Sequence, residues 1–164
     1  MGRPDLNEKD QERVRIGNLL MFVCARIIKE LLLKCKPWSL EQPQSSRMWL
    51  CSCIRKIMCS PVVFMVHTVF CAWGTAWKKP ISSMVGNCPA LRVLGKTCGN
   101  SGVCAYSGKR HQVLEGSGPG GIRWTLIAQP YPPRLCRAFA AAVSGHFLSS
   151  YINELDRKSC MVAR

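Results

Sequence analysis

The chain has 164 residues, of which 23 are Lys or Arg and 9 are Asp or Glu, so its formal net charge is +14. This length allows one compact domain with a core, or several helices joined by irregular chain. The charge favours anionic partners such as phospholipid headgroups, nucleic acid or acidic proteins. The scarcity of acids beyond the N-terminal region argues against catalysis by paired carboxylates.

The first 36 residues carry the start and stop signals of a helix. Asn7 is a start signal, acidic residues follow it, and Pro37 is a stop. The apolar residues between them recur at helical spacing, at Ile16, Leu19, Leu20, Val23, Ile27, Ile28, Leu31 and Leu32. Together, as an N-terminal unit over 1–36, they predict an amphipathic helix over 8–36 that packs on a core or a partner, with a membrane-surface helix as the alternative.

Residues 37–56 are interpreted as a linker and residues 57–77 as a transmembrane helix. The second segment has 21 residues without Asp, Glu, Lys or Arg, and basic pairs flank it at 55–56 and 78–79. As a helix it would be about 31 Å long, which matches the ~30 Å hydrocarbon core of a bilayer. The prediction is a single-pass membrane protein whose orientation and compartment stay unassigned, because the flanking positive charges are balanced.

Buried strands are the alternative for residues 57–77. The segment is rich in Val and Phe, and His67 near its middle is unfavourable in a bilayer. Its length argues against one strand, and the absence of a turn residue between Val62 and Ala72 argues against two. The membrane-spanning helix is therefore preferred, and membrane lipid is the principal expected partner, with a protein partner as a further one.

Eleven cysteines are present, but their spacing indicates no metal site. No C-x-x-C occurs, so zinc-ribbon, thioredoxin and ferredoxin spacings are missing, and the odd number argues against a disulfide framework. We interpret the thiols as mostly reduced, small apolar side chains. Three of them stand beside two basic residues at the entry of the predicted span and are candidate palmitoylation sites. These are Cys51, Cys53 and Cys59.

Residues 78–133 are rich in Gly and Pro and predict an irregular segment. Two partial matches to phosphate-binding loops lie within it, and both are rejected. The residues before 95–97 are bulky, and the glycine run 116–121 lacks the strand, helix and acid of a dinucleotide site. The histidines show no catalytic sequence spacing to a carboxylate or thiol, and they are His67, His111 and His146. The sequence therefore indicates no enzyme, no cofactor and no small-molecule substrate.

The C-terminal residues 134–164 are interpreted as a helix and a tail. After Pro133, apolar residues recur at every fourth position, and a run of alanines favours helix. This pattern predicts a packing or interaction helix over 134–158.

The predicted fold is mainly α, with an amphipathic N-terminal helix, one transmembrane helix, a Gly/Pro-rich irregular segment and a C-terminal helix, and without a well-packed globular domain. The predicted function is that of a small, basic, non-enzymatic single-pass membrane protein that binds other proteins. One alternative is a recently arisen reading frame without a selected function, since its local signals do not agree on one fold. The other is a soluble basic interaction protein with nonspecific nucleic-acid affinity, because +14 attracts polyanions but no specific recognition motif is present.

Overall fold

The computed structural model describes residues 5–99 and 102–162. The outermost residues of the predicted terminal units, 1–4 and 163–164, lie outside this description. The helices and strands, in chain order, are α1 (Glu8–Leu33), β1 (Trp38–Pro43), α2 (Ser52–Met58), β2 (Val63–Val69), β3 (Pro80–Gly86), α3 (Trp124–Ile127) and α4 (Pro133–Val162). Short 3-10 helices occupy Arg47–Leu50, Phe70–Trp73, Pro89–Leu94 and Pro119–Gly121.

The three strands form one antiparallel sheet in the order β1-β3-β2. Strand β3 is central, and its register places Trp38 of β1 and Val63 of β2 opposite Gly86. Because side chains alternate across a strand, residues at every second position share one face of the sheet. The two faces therefore pack against different helices.

One face of the sheet packs against α1 and α2. Its buried cluster joins Ala25 and Ile28 of α1, Ile54 and Ile57 of α2, and Met84 of β3. The side chains of Ile54 and Met84 are fully buried. This burial supplies the hydrophobic stabilisation that the two helices need to stay on the sheet.

The other face packs against the start of α4 and the 3-10 helix at Pro89–Leu94. Its cluster joins Val66 of β2, Val85 of β3, Leu91 and Leu135, with Phe70 fully buried at the end of β2. The sheet thus lies between two helical layers.

The prediction of a transmembrane helix over residues 57–77 is wrong. Ile57 and Met58 end α2, Ser60 and Pro61 form a turn, and Val63–Val69 pairs along its whole length with β3. Gly74, at a left-handed φ of 96°, follows the 3-10 helix that comes next. The β-branched residues favour a pleated, buried surface over a helix, and pairing with β3 satisfies the strand's backbone groups.

The prediction of a mainly α fold without a well-packed domain is wrong for the same reason. The predicted irregular segment contributes β3, the central strand, and the stretch 37–56 contributes β1 and most of α2. Single-pass localisation, and the membrane-protein function inferred from it, are wrong as well, because within residues 5–99 and 102–162 no helix combines the length and apolar character that a membrane crossing requires.

Helix α1 begins after Asn7, whose side chain accepts a hydrogen bond from the Asp10 backbone N–H at 2.9 Å. This N-cap satisfies one of the unpaired amides of the first turn. The helix ends at Leu33, three residues before the end of the predicted range. Only Ala25 and Ile28 on α1 are buried, so most of the predicted apolar stripe does not face the core.

Gly86 lies where the indole of Trp38 crosses β3. A Cβ at this position would overlap the indole ring. We expect Gly86→Ala to lower the free energy of unfolding by about 1–3 kcal/mol through overpacking. At roughly 2–4 °C per kcal/mol in a chain of this size, the melting temperature measured by circular dichroism falls by several degrees.

Gly17→Ala is the matched control, because a Cβ added at this position in the interior of α1 meets no atom within 4 Å. This substitution is expected to raise the free energy of unfolding by about 0.5–1 kcal/mol. Equal shifts in the two variants would contradict the close approach of Trp38 and Gly86.

Candidate metal centre

Four side chains from separate segments converge at the end of β2. Cys71 lies on the 3-10 helix that follows β2, Cys98 in the loop after Pro89–Leu94, and Cys104 and His111 on either side of a small hairpin. Their metal-ligating atoms all lie within 4.8 Å of one another. The three cysteines are buried and His111 is half-buried. Among the described residues this is the group of potential metal ligands that the geometry brings together.

The hairpin that carries Cys104 and His111 is held by backbone hydrogen bonds. The Cys104 N–H donates to the Lys109 carbonyl at 2.8 Å, and the Gly108 N–H donates to the Cys104 carbonyl at 2.9 Å. Gly108 has a φ of 67°, a conformation that glycine adopts without a steric penalty. The tight turn returns the chain so that His111 faces the same cluster as Cys104.

Two further hydrogen bonds fix the loop against the rest of the domain. The Gln112 N–H donates to the Ala76 carbonyl at 2.8 Å, and the Lys78 ammonium donates to the Gly99 carbonyl at 3.0 Å. These contacts connect both ends of the loop, next to Cys98 and next to His111, to the segment that follows Cys71.

The distances between the ligand atoms are close to those found between the ligands of one metal ion. The Cys98 Sγ lies 3.6 Å from the His111 Nε2, and the Ala105 N–H donates to the Cys98 Sγ at 3.4 Å. A tetrahedral zinc ion with Zn–S bonds of ~2.3 Å separates its sulfur ligands by roughly 3.8 Å. Modest inward movement of the ligands from the 4.8 Å envelope would meet that requirement.

The local environment separates the acidities of the thiols. Burial raises the pKa of Cys104, but the Ser107 hydroxyl, the backbone amides of Tyr106 and Ser107, and His111 more than offset it, and the pKa falls to about 6. Burial, followed by the neighbouring Cys104 and Cys98, raises the pKa of Cys71 to about 12. Ionisation of the Cys71 thiol is therefore unfavourable unless a cation is bound beside it.

Zinc is the ion that this ligand set fits best. Three thiolates and one imidazole form a Cys3His set, which is common in structural zinc sites, whereas magnesium and calcium prefer oxygen ligands. If all four side chains bound one zinc ion, they would complete its tetrahedral shell and would leave no open position for a substrate or a reactive water. The geometry is therefore that of a structural site.

A disulfide is a weaker explanation of the same cluster. One bridge would use two of the three thiols and leave the third, together with the imidazole of His111, without a role. The structure has Cys71, Cys98 and Cys104 as free thiols. A metal uses all four groups at once.

The candidate palmitoylation sites lie elsewhere. Cys51 precedes α2 and Cys53 lies within it, and both are half-buried against the cluster around Ile54, whereas Cys59 at the end of α2 is exposed. The membrane span that placed them beside a bilayer does not form. Acylation of these three thiols stays a prediction.

The remaining sequence candidates also separate. His67 lies on β2, where its Nδ1 is 2.8 Å from the Ser82 hydroxyl, and His146 lies on α4. Lys96, which belongs to the first rejected match to a phosphate-binding loop, has its ammonium 4.1 Å from the centre of the Trp73 ring. Of the three histidines, only His111 joins the metal cluster.

None of the four ligands is predicted from the sequence, because the C-x-x-C pairs that are typical of zinc sites are absent from it. Three of them occur as C-x5-C-x6-H within a glycine-containing stretch, which is a detectable local signal. Cys71 is 27 residues upstream of Cys98, so only the folded sheet brings it to the others.

A cavity of about 350 Å³ lies between the sheet and α4. Its rim carries Glu41 of β1 and Tyr131, whose hydroxyl donates to the Glu41 carboxylate. Burial and this carboxylate raise the pKa of Tyr131 above its ordinary value. The two polar groups satisfy each other, so they are not presented to a ligand as an acid–base pair.

Comparisons with family models, curated proteins and solved structures find no match to this chain. The assignment of the site therefore depends on its own geometry.

We expect the purified protein to contain about one zinc ion per chain by elemental analysis. Cys98→Ser and Cys104→Ser should lose most of this zinc, and cobalt substitution of the unmodified protein should give the visible absorption of a tetrahedral thiolate site. A chelator should lower the melting temperature by about 10 °C, because an ion present at ~1,000 times its Kd contributes about 4 kcal/mol.

Cys136→Ser is the control, since Cys136 is an exposed thiol on α4 outside the cluster. It should retain zinc at the level of the unmodified protein. Equal loss of zinc from all three variants would contradict this assignment.

Proposed function

We propose that this protein is a zinc-stabilised, non-catalytic binding protein whose basic surface contacts polyanions such as nucleic acid without reading their sequence. The single observation that carries this proposal is the charge of the segment that contains the metal ligands. From Cys71 to His111 the chain contains six Lys or Arg residues and no Asp or Glu.

Cations surround the cluster in space as well as in sequence. A cavity of about 340 Å³ beside Cys98 is lined by His67, Lys78, Lys96 and Thr97. Lys109 and Arg110 lie exposed on the hairpin between Cys104 and His111. Ammonium and guanidinium groups on a rigid support are the groups that bind phosphate oxygens.

A simpler role for these cations is to offset the metal site itself. Zinc with three thiolates and a neutral imidazole carries a net charge of −1. One neighbouring cation would balance this charge, whereas Lys96 lines the cavity beside Cys98, and Lys109 and Arg110 lie exposed on the hairpin. The remaining positive charge supports the binding of an external anion.

The closed ligand set supports a non-catalytic role. A catalytic zinc site keeps a position for water or substrate, and a Cys3His site does not. The metal would act by holding the hairpin in place, and the hairpin would present its two basic side chains.

The test is fluorescence anisotropy with labelled single-stranded and duplex oligonucleotides of several sequences at 150 mM salt. We expect affinities in the range of roughly 10⁻⁶ to 10⁻⁴ M, with little dependence on sequence. The double variant Lys109→Glu, Arg110→Glu should weaken binding by about tenfold or more. It should also lower the slope of log K against log salt by about two, one for each lost phosphate contact.

The double variant Arg55→Glu, Lys56→Glu is the matched control. It makes the same change in net charge at an adjacent Arg–Lys pair that is exposed on α2. The control should lose much less affinity. Equal loss from both variants would reduce binding to net charge alone, and strong preference for one oligonucleotide would overturn the nonspecific mode.

A further inference from the structure

The cavity of about 350 Å³ between the sheet and α4, which we call the sheet–α4 cavity, has an apolar inner wall. Four large apolar side chains form this wall and are each at most 5% exposed. They are Val66, Ile81, Leu94 and Leu135. An apolar cavity of about 150 Å³ in a protein interior takes up benzene. The sheet–α4 cavity therefore has room for an aromatic ring with a short chain attached to it.

The rim of the sheet–α4 cavity differs from its inner wall, because it carries two aromatic rings and a carboxylate. Tyr131 is 47% exposed and Phe139 is 39% exposed, and Glu41 is half-buried beside them. The Tyr131 hydroxyl donates to the Oε2 atom of Glu41. Among the hydrogen bonds of residues 5–99 and 102–162, none uses the Oε1 atom of this carboxylate. A carboxylate oxygen can accept two hydrogen bonds, so the rim retains acceptor capacity for a ligand.

The charge at this rim is opposite in sign to the charge of the protein. Glu41 is the only Asp, Glu, Lys, Arg or His among the residues that line the sheet–α4 cavity. It is also the one acidic residue within 31–114, in a chain whose net charge is +14. The neighbouring ammonium of Lys79 donates to the Ala128 carbonyl at 3.0 Å. A positively charged group of a ligand therefore finds a complementary partner at this rim.

We propose that the sheet–α4 cavity binds a small arylalkyl amine, with the aromatic ring against the inner wall and the ammonium beside Glu41. The ring gains hydrophobic free energy when it leaves water for the inner wall. The ammonium donates a charge-assisted hydrogen bond to the Oε1 atom of Glu41 and lies close to the rings of Tyr131 and Phe139. Neither zinc nor a polyanion takes part in this binding.

The positions of the polar groups select the orientation and the charge of the ligand. The Thr68 hydroxyl in the buried part of the cavity accepts a hydrogen bond from the Trp73 Nε1–H at 2.8 Å. Ser83 lies directly opposite Glu41 in the register of β3 and β1, so its hydroxyl lies on the same side as the carboxylate. A ligand carboxylate in this position would be repelled by Glu41, and an alcohol would lack the charge-assisted part of the hydrogen bond.

The first experiment is isothermal titration calorimetry of the full, zinc-loaded chain with three ligands of similar shape at pH 7, where an aliphatic amine is protonated. The ligands are 2-phenylethylamine, 2-phenylethanol and phenylacetate. We expect the amine to bind with a Kd of roughly 10⁻⁴ M, which is typical of a good ligand of this size. The alcohol should bind about tenfold more weakly, because it lacks the charge, and phenylacetate more weakly still.

Removal of the carboxylate then tests the role of Glu41. Glu41→Gln keeps the size of the side chain and an acceptor for the Tyr131 hydroxyl, but it removes the charge. This variant should bind the amine about tenfold more weakly and the alcohol with unchanged affinity. Glu30→Gln is the control, because it makes the same change in charge at an exposed position on α1 that does not line the cavity. The control should bind the amine as tightly as the unmodified protein.

A cavity-filling substitution tests the location of the site. Ser83→Leu adds apolar volume to the sheet–α4 cavity from β3 and should abolish binding of both the amine and the alcohol. Its circular dichroism spectrum should match that of the unmodified protein.

Other results would overturn the proposal. Equal affinities for the amine and the alcohol would show that the site does not select a cation. An unchanged amine affinity in Glu41→Gln, or amine binding that persists in folded Ser83→Leu, would place the bound amine elsewhere on the protein. The absence of binding by all three ligands would show that the cavity takes no molecule of this class.

Discussion

Strand β3 is hydrogen-bonded to β1 on one side and to β2 on the other, and each of its faces is covered by a different set of helices. Met84 points to the α1 and α2 side and Val85 to the α4 side, and both are fully buried. Strand β3 therefore packs against both helical layers, one on each of its faces. The pairing of β2 with β3 also sets the direction in which the chain leaves β2, and thereby the position of Cys71.

The metal cluster adds a restraint that the sheet cannot supply. Between Gly95 and His111 the described chain has little regular structure. Ordering this backbone on folding costs conformational entropy, and few backbone hydrogen bonds offset that cost. One ion bound by four side chains would close three loops at once, the longest of them between Cys71 and Cys98. Because the ligands do not converge in the unfolded chain, the free energy of metal binding becomes free energy of folding.

Periodicity in the sequence locates the helices better than it assigns their faces or their surroundings. The capping signal at Asn7 precedes the first residue of α1, and the proline at 133 marks the start of α4. The apolar spacing on α1, however, contains two overlapping stripes, and nothing in the sequence says which one meets the sheet.

Residues 57–77 show a second limit, since a run without charges is compatible with a bilayer or with a strand buried on both faces. Only the partner strand β3, which begins at Pro80 beyond this segment, decides between them. The ligand set shows the third limit: C-x5-C-x6-H is readable locally, but Cys71 belongs to it only after β2 has formed.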